Sequence, residues 1–356
     1  MGFILTALNV LLFNIIIPLL ILNLLIFAHE LGHYLAARAF KTAIKEFAVG
    51  MGPKIFSVRK NKTDYSIRAI PIGGALVMRG EDGESELKNA VGTKPVWQRF
   101  AIISAGPLMN LLLGFIITAV IVSGSGRYYS TEVLRFRAGA VSEAGGLRTG
   151  DSILKINGKK INIYDDIFYA LMREGKDPVD VTVVREGERL VVSGVKFPAA
   201  TAGGTSFGVI DFDTTVYERS FGAVVNQSFF QSVGTINLLW TSVFDLLTGK
   251  YGAEAFAAAG ITQIPGDLAR ETAEDRGKGS GFLFLTALIT MNLGVVSLLP
   301  LPALDGGRII FLTLEFVRRK PLKPEYEGYI HLAGFAALIL FIIFVTYKDI
   351  MKLVAG

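Results

Sequence analysis

The sequence predicts a polytopic α-helical membrane protein with four transmembrane helices and an inserted extracytoplasmic α+β domain. Hydrophobic residues make up 51% of the 356 positions, and mean hydropathy is +0.48, more apolar material than a soluble chain needs to fill a core. Those residues are gathered into stretches of bilayer-spanning length. Between the second and third stretches lies a long region of short alternating segments with glycine-containing turns, the pattern of β-strands.

The first helix occupies residues 1–40. Its apolar run over 3–28 continues to Phe40 with few polar interruptions. It is longer than the apolar part of a secretory signal, and it lacks a basic leading region and a small-residue cleavage site, so it is expected to stay in the chain. Residues 41–98 form a loop, and 99–123 the second helix. An alternating domain over 129–197 follows, with Val133-Leu134-Arg135-Phe136 and Val179–Val184 among its strands. Residues 198–280 are a linker in which 221–247 is apolar but broken by Asn226, Gln227, Gln231, Ser232, Ser242 and Asp245. That mixture predicts an amphipathic helix on the outer membrane surface, not a fifth span. Phe207–Thr214 is expected to complete a sheet nearby. The third helix is assigned to 281–317, with Asn292 inside it and a proline-rich break at Leu299–Gly307, and the fourth to 328–348.

Charge gives the orientation. Lys and Arg outnumber Asp and Glu about two to one over 38–99 and are balanced over 124–280, so the first loop is expected in the cytoplasm, and the N-terminus and inserted domain outside. The net charge of +5 does not imply nucleic acid, because the basic residues form no stripe with interleaved aromatics. Cysteine is absent, which excludes disulfides, a cysteine nucleophile and thiolate metal ligands.

The chemistry is concentrated in His29-Glu30-Leu31-Gly32-His33, which closes the first apolar run. Residues four apart lie one above the other on a helix, so both imidazoles can hold one metal ion while Glu30 reaches an attacking water. Zinc suits two imidazoles plus one further ligand with an open position, and the chemistry it supports there is peptide hydrolysis. Two histidines and a glutamate at the end of a span are costly unless paired, metal-bound or beside water. Asp305, in Leu299-Pro300-Leu301-Pro302-Ala303-Leu304-Asp305-Gly306-Gly307, is the chosen third ligand. Its rival is His331, the remaining histidine, for which packing is the expected role. If the first and third helices run the same way, His29 and Asp305 both lie near the cytoplasmic face.

These residues resemble the site-2 protease family, in its bacterial RseP-type branch, over essentially the whole chain. The marks are His29–His33; Arg68-Ala69-Ile70-Pro71-Ile72-Gly73-Gly74; Ala105-Gly106-Pro107-Leu108-Met109-Asn110; Asn292-Leu293-Gly294; Leu299–Gly307; and Arg318–Leu322 with Tyr347–Ile350. The resemblance implies an intramembrane zinc metalloprotease of the bacterial cytoplasmic membrane, with one zinc held by His29, His33 and Asp305 and with Glu30 as general base. It implies single-span membrane proteins as substrates, such as anti-sigma factors or signal-peptide remnants, already trimmed by another protease. Asn292 matches a residue that holds the substrate backbone in the family; where a second Asn is common, this chain has Ser297. Gly260-Ile261-Thr262 replaces the family's common Gly-Pro.

Ala144–Gly158, with Gly146-Leu147-Arg148-Thr149-Gly150-Asp151 and Ile156-Asn157-Gly158, resembles a PDZ domain. One such domain is implied, binding a chain end or strand or excluding bulky substrates. Tyr65–Met78 reads as a hairpin or membrane-dipping loop turning at Pro71, Gly73 and Gly74, with an edge that could pair with an unwound substrate; Gly73 and Gly74 are substrate-positioning candidates. Gly32, Gly106 and Asn110 would permit close helix approach or a polar bond across helices. Two alternatives keep the same residues: a membrane metalloprotease acting on cytoplasmic or juxtamembrane segments, and a silent PDZ scaffold. The intact His29, Glu30, His33 and Asp305 argue against the scaffold, which has no physical reason to bear their desolvation.

Overall fold

The computed structural model describes residues 11, 16–80, 89–125, 127–202, 205–247, 280–320 and 324–355. In chain order the helices are α1 (Ile17–Ala39), α2 (Val96–Gly124), α3 (Val141–Ala144), α4 (Tyr164–Glu174), α5 (Phe221–Leu247), α6 (Ser280–Ser297), α7 (Asp305–Arg318) and α8 (Pro324–Ala355). The strands are β1 (Ile44–Lys60), β2 (Thr63–Met78), β3 (Arg127–Phe136), β4 (Ser152–Ile156), β5 (Lys159–Lys160), β6 (Val179–Arg185), β7 (Glu188–Val195), β8 (Ala199–Ala202), β9 (Thr205–Gly208) and β10 (Phe212–Glu218). Two compact units result: Met1–Leu113 with Thr290–Gly356, and Gly114–Ile289.

α1 and α2 are each long and apolar enough to cross a membrane. Leu20, Leu24, Leu112 and Ile116 are exposed on their surfaces, as lipid-facing positions require. The two helices meet through a glycine: a Cβ on Gly32 would lie 2.3 Å from the carbonyl oxygen of Ala105, so only a hydrogen there lets the backbones approach. Arg99 of α2 makes a two-pronged ion pair with Glu315 of α7.

The stretch expected as one third helix comes as two, α6 and α7, with a turn between. Pro300 and Pro302 have no N–H to donate, and each disfavours helical geometry in the residue before it. Ala303 then takes a left-handed φ of 75°. Gly306 restarts the helix flush against that turn, since a Cβ there would meet the Leu299 carbonyl oxygen at 2.1 Å.

β1 and β2 form an antiparallel hairpin turning at Asn61-Lys62, with φ of 50° and 65°, the two left-handed residues of a tight hairpin turn. This differs from the turn at Pro71–Gly74 that the sequence predicts. The actual turn lacks glycine, the residue that usually marks one, and Pro71–Gly74 instead bends β2. The hairpin folds over on itself: Ala48 pairs with both Ser66 and Ala75, and Val49 with both Ile67 and Gly74. Glu46 lies buried in this fold. Burial raises its carboxyl pKa, but bonds from Ser66, Lys54 and Arg68 outweigh that and hold it down at about 2. The hairpin is fixed to α1 by Tyr34 and Tyr65, whose hydroxyls are 2.7 Å apart.

The second unit contains a six-stranded sheet in the order β10-β3-β4-β6-β7, with β5 on β4. Val133, Ile153, Ile156, Ile167, Leu171, Val181 and Phe212 are among its buried core residues. The sheet extends past residue 197, because β10 pairs with β3 and Asp211, just before it, accepts the backbone N–H groups of Val141 and Ser142 at the start of α3. Of the expected Phe207–Thr214 strand, the first residues instead form β9, paired with β8 in a separate hairpin. Helix α5 packs Gly234 against Asp166 and Tyr169 of α4. Gly260-Ile261-Thr262 lies outside the described residues.

Candidate metal centre

Helical spacing brings His29 and His33 onto one face of α1, and the broken backbone after α6 brings Asp305 to them. His29 Nε2 lies 3.0 Å from Asp305 Oδ2, the two imidazole Nε2 atoms are 3.2 Å apart, and His33 Nε2 is 3.5 Å from the same carboxylate oxygen. Asp305 is the first residue of α7, where a carboxylate is favoured by the helix dipole.

Proton placement follows from the outer partners. His33 Nδ1 is 2.8 Å from the Ile102 carbonyl oxygen, which can only accept, so Nδ1 carries the proton and Nε2 offers a lone pair. A Cβ on Gly106 would lie 2.2 Å from His33 Nε2, so the ring occupies space that only glycine leaves in α2. His29 Nδ1 lies 3.2 Å from the Asn110 carboxamide nitrogen, while the Asn110 oxygen is buried without a partner. Exchanging the near-identical amide O and N lets that oxygen accept the Nδ1–H and frees His29 Nε2 as well.

Three electron-rich atoms thus converge, an arrangement that repels itself unless a cation lies among them. Ligands about 2.1 Å from a tetrahedral zinc stand about 3.4 Å from one another, and the separations of 3.0, 3.2 and 3.5 Å bracket that value. Donor set and spacing both fit zinc. The same three residues are a metal-capable cluster among the described residues.

Glu30 projects beside this cluster. Its Oε2 accepts the backbone N–H of Leu76 at 3.1 Å, and a Cβ on Gly74 would come within 3.1 Å of Glu30 Cγ. A carboxylate next to a metal-capable cluster and a strand backbone can take a proton from water and return it to a leaving group.

The sequence profile of peptidase family M50 matches residues 17–341. The chain belongs to peptidase family M50. A relative from Fusobacterium nucleatum, named among the zinc metalloproteases, is 34% identical over 357 residues, covering 95% of this chain and 98% of that protein. The zinc metalloprotease RasP of Geobacillus kaustophilus is 29% identical over 423 residues, covering 95% and 98%. The regulator of sigma-W protease RasP of Bacillus subtilis is 29% identical over 427 residues, covering 96% and 99%. The M50 protein is therefore a zinc metalloendopeptidase of the site-2 protease type, a membrane enzyme with helices to match.

The other predicted residues divide. Gly73 takes a φ of 89° and packs against Met51, and Gly74 lies against Glu30. Asn292 and Ser297, both on α6, make no hydrogen bond to the cluster among the described residues; the Asn292 oxygen is buried without a partner. His331 stands apart from the metal-capable set and accepts the N–H of Ala303 instead. The polar bond across helices expected of Asn110 has His29 as its partner. Sequence reasoning missed the Ile102 carbonyl, because a backbone acceptor leaves no mark on residue type.

Proposed function

We propose that the protein is an intramembrane peptidase that cuts single-span membrane proteins in or near their transmembrane segment, with His29, His33 and Asp305 as zinc ligands and Glu30 as general base. The supporting observation is the contact between Glu30 and the backbone of β2. Leu76 pairs with Phe47 through one edge of its strand, and its N–H reaches Glu30. An unwound substrate added along that second edge would present its carbonyls to Glu30. Gly73 and Gly74 keep the edge close to the site.

Zinc, when bound, polarises the scissile carbonyl and acidifies the attacking water. Glu30 takes the water's proton and passes it to the leaving amine. Asn292 offers its free oxygen to a substrate N–H, and Ser297 supplements it through a shorter reach. In this reading α1, α2, α6 and α8 are the four spans, the N-terminus lies outside, and the active site faces the cytoplasmic side. Residues 129–197 are the core of a single PDZ domain that limits access, and α5 lies in the outer interface. The name of the Bacillus subtilis relative, a regulator of sigma-W protease, favours anti-sigma factors as substrates, trimmed beforehand by another protease; signal-peptide remnants fit the same site.

The test is cleavage of a single-span substrate in liposomes, with cut sites mapped by mass spectrometry and zinc measured for each variant. Wild type is expected to cut within the apolar segment. Glu30→Gln should keep its zinc and lose about 10²-fold or more in rate, and Asp305→Asn should lose zinc and activity together. Cuts confined to polar flanks would count against the intramembrane reading, and an active Glu30→Gln would remove Glu30 from its role.

A further inference from the structure

The third histidine lies in no zinc site, yet it touches the turn that delivers a ligand. We propose that His331, with Gly334 behind it, is a positioning residue that clamps the turn between α6 and α7 and so aims Asp305; this rests on the reading of Asp305 as the third zinc ligand.

Ala303 precedes Asp305 by two residues and holds a φ of 75°, a region that alanine seldom adopts without outside support. Neighbouring amides are satisfied inside the turn: Leu301 donates to the Leu299 carbonyl at 2.7 Å and Leu304 to that of Leu301 at 3.2 Å. Pro300 and Pro302 have no N–H to donate. The Ala303 N–H leaves the turn and donates to His331 Nδ1 at 2.9 Å.

That bond fixes the histidine's tautomer. With Nδ1 accepting, the ring proton of neutral His331 sits on Nε2, 3.7 Å from the carboxylate of Glu327 one helical turn earlier. The ring is held edge-on against Phe311 of α7, with centroids 5.4 Å apart. One turn further along α8, a Cβ on Gly334 would lie 2.2 Å from Pro302 Cβ, so the helix presses directly on the turn. Helix α8 therefore grips both Pro302 and Ala303, by shape and by a hydrogen bond. A zinc ligand tolerates displacement of only a few tenths of an ångström, and the clamp supplies that precision.

Glycine adopts left-handed φ without strain, which gives a specific rescue. Zinc affinity should fall about 10–100-fold in His331→Ala, the usual cost of losing a residue that orients a ligand. Most of it should return in His331→Asn, whose side-chain oxygen can still accept, and in the His331→Ala/Ala303→Gly double variant. Hydrogen exchange over residues 299–305, measured on zinc-free protein, should quicken in His331→Ala and slow again in His331→Asn. Unchanged exchange and zinc affinity in His331→Ala would overturn the clamp. So would a loss that neither His331→Asn nor the added Ala303→Gly change restores, since that pattern belongs to general packing. If Asp305→Asn keeps its zinc, the ligand assignment fails, while the exchange result still decides whether His331 holds the turn.

Discussion

In the proposed zinc site, His33 is prepared before metal arrives. Its Nδ1 proton is committed to the Ile102 carbonyl, its ring fills the space left by Gly106, and the remaining lone pair has one direction to face. His29 receives the equivalent service from Asn110 through a side chain, which makes it the more easily tested of the two. Replacing Asn110 by Leu keeps the bulk and removes the acceptor, so His29 loses the partner that holds its proton on Nδ1. Zinc affinity is expected to drop about 10–100-fold, and Asn110→Asp, which retains an acceptor oxygen, should recover much of it. Competition with a chelator of known affinity measures both, and equal affinity in Asn110→Leu and wild type would rule out the orienting bond.

Among the elements, α5 has a surface that calls for a nonaqueous neighbour. Phe221, Val225, Phe229, Val233, Trp240 and Phe244 are all exposed, and at 3.6 residues per turn they form one stripe along the helix. Buried Gln227 lies on the opposite face. Among the described residues, α5 is not one of the two helices long and apolar enough to cross. In the proposed reading this stripe lies in the membrane interface with its tryptophan near the headgroups. The chain has two tryptophans, so a Trp97→Phe variant isolates Trp240. Its fluorescence should be quenched more strongly by lipids brominated near the headgroup than by lipids brominated near the chain end; the reverse order would make α5 a span, and no quenching would place it in water.

At the scale of the whole molecule, the proposed zinc site joins parts of the chain that are remote in sequence, for His29 and Asp305 are 276 residues apart. A metal held by both would stabilise the native arrangement of α1 with α7 by mass action. The sheet of the second unit owes nothing to that ion, because its buried cluster of Val133, Ile153, Leu171, Val181 and Phe212 is self-contained. Stripping zinc with a chelator should therefore lower the melting temperature of the helical unit and leave that of the sheet unit unchanged, as followed by hydrogen exchange on heating. Equal loss of protection in both units would show that the metal also supports the sheet.

Membrane residence and metal dependence are legible in the residues alone, because apolar run length and the His29–His33 spacing are local properties. Both follow from one helical period and one bilayer thickness. Asp305 also stands out along the chain, through the rarity of a carboxylate beside a proline-broken apolar helix. The hairpin turn at Asn61-Lys62 was hidden, since two left-handed residues without glycine carry little local signal. Packing alone selects the groups that meet these residues: the Ile102 carbonyl on His33, the Asn110 amide on His29, Leu76 on Glu30, and His331 on the Ala303 turn. Those pairings depend on how separate helices and strands meet, and no spacing along the chain encodes the distance between atoms that the fold brings together.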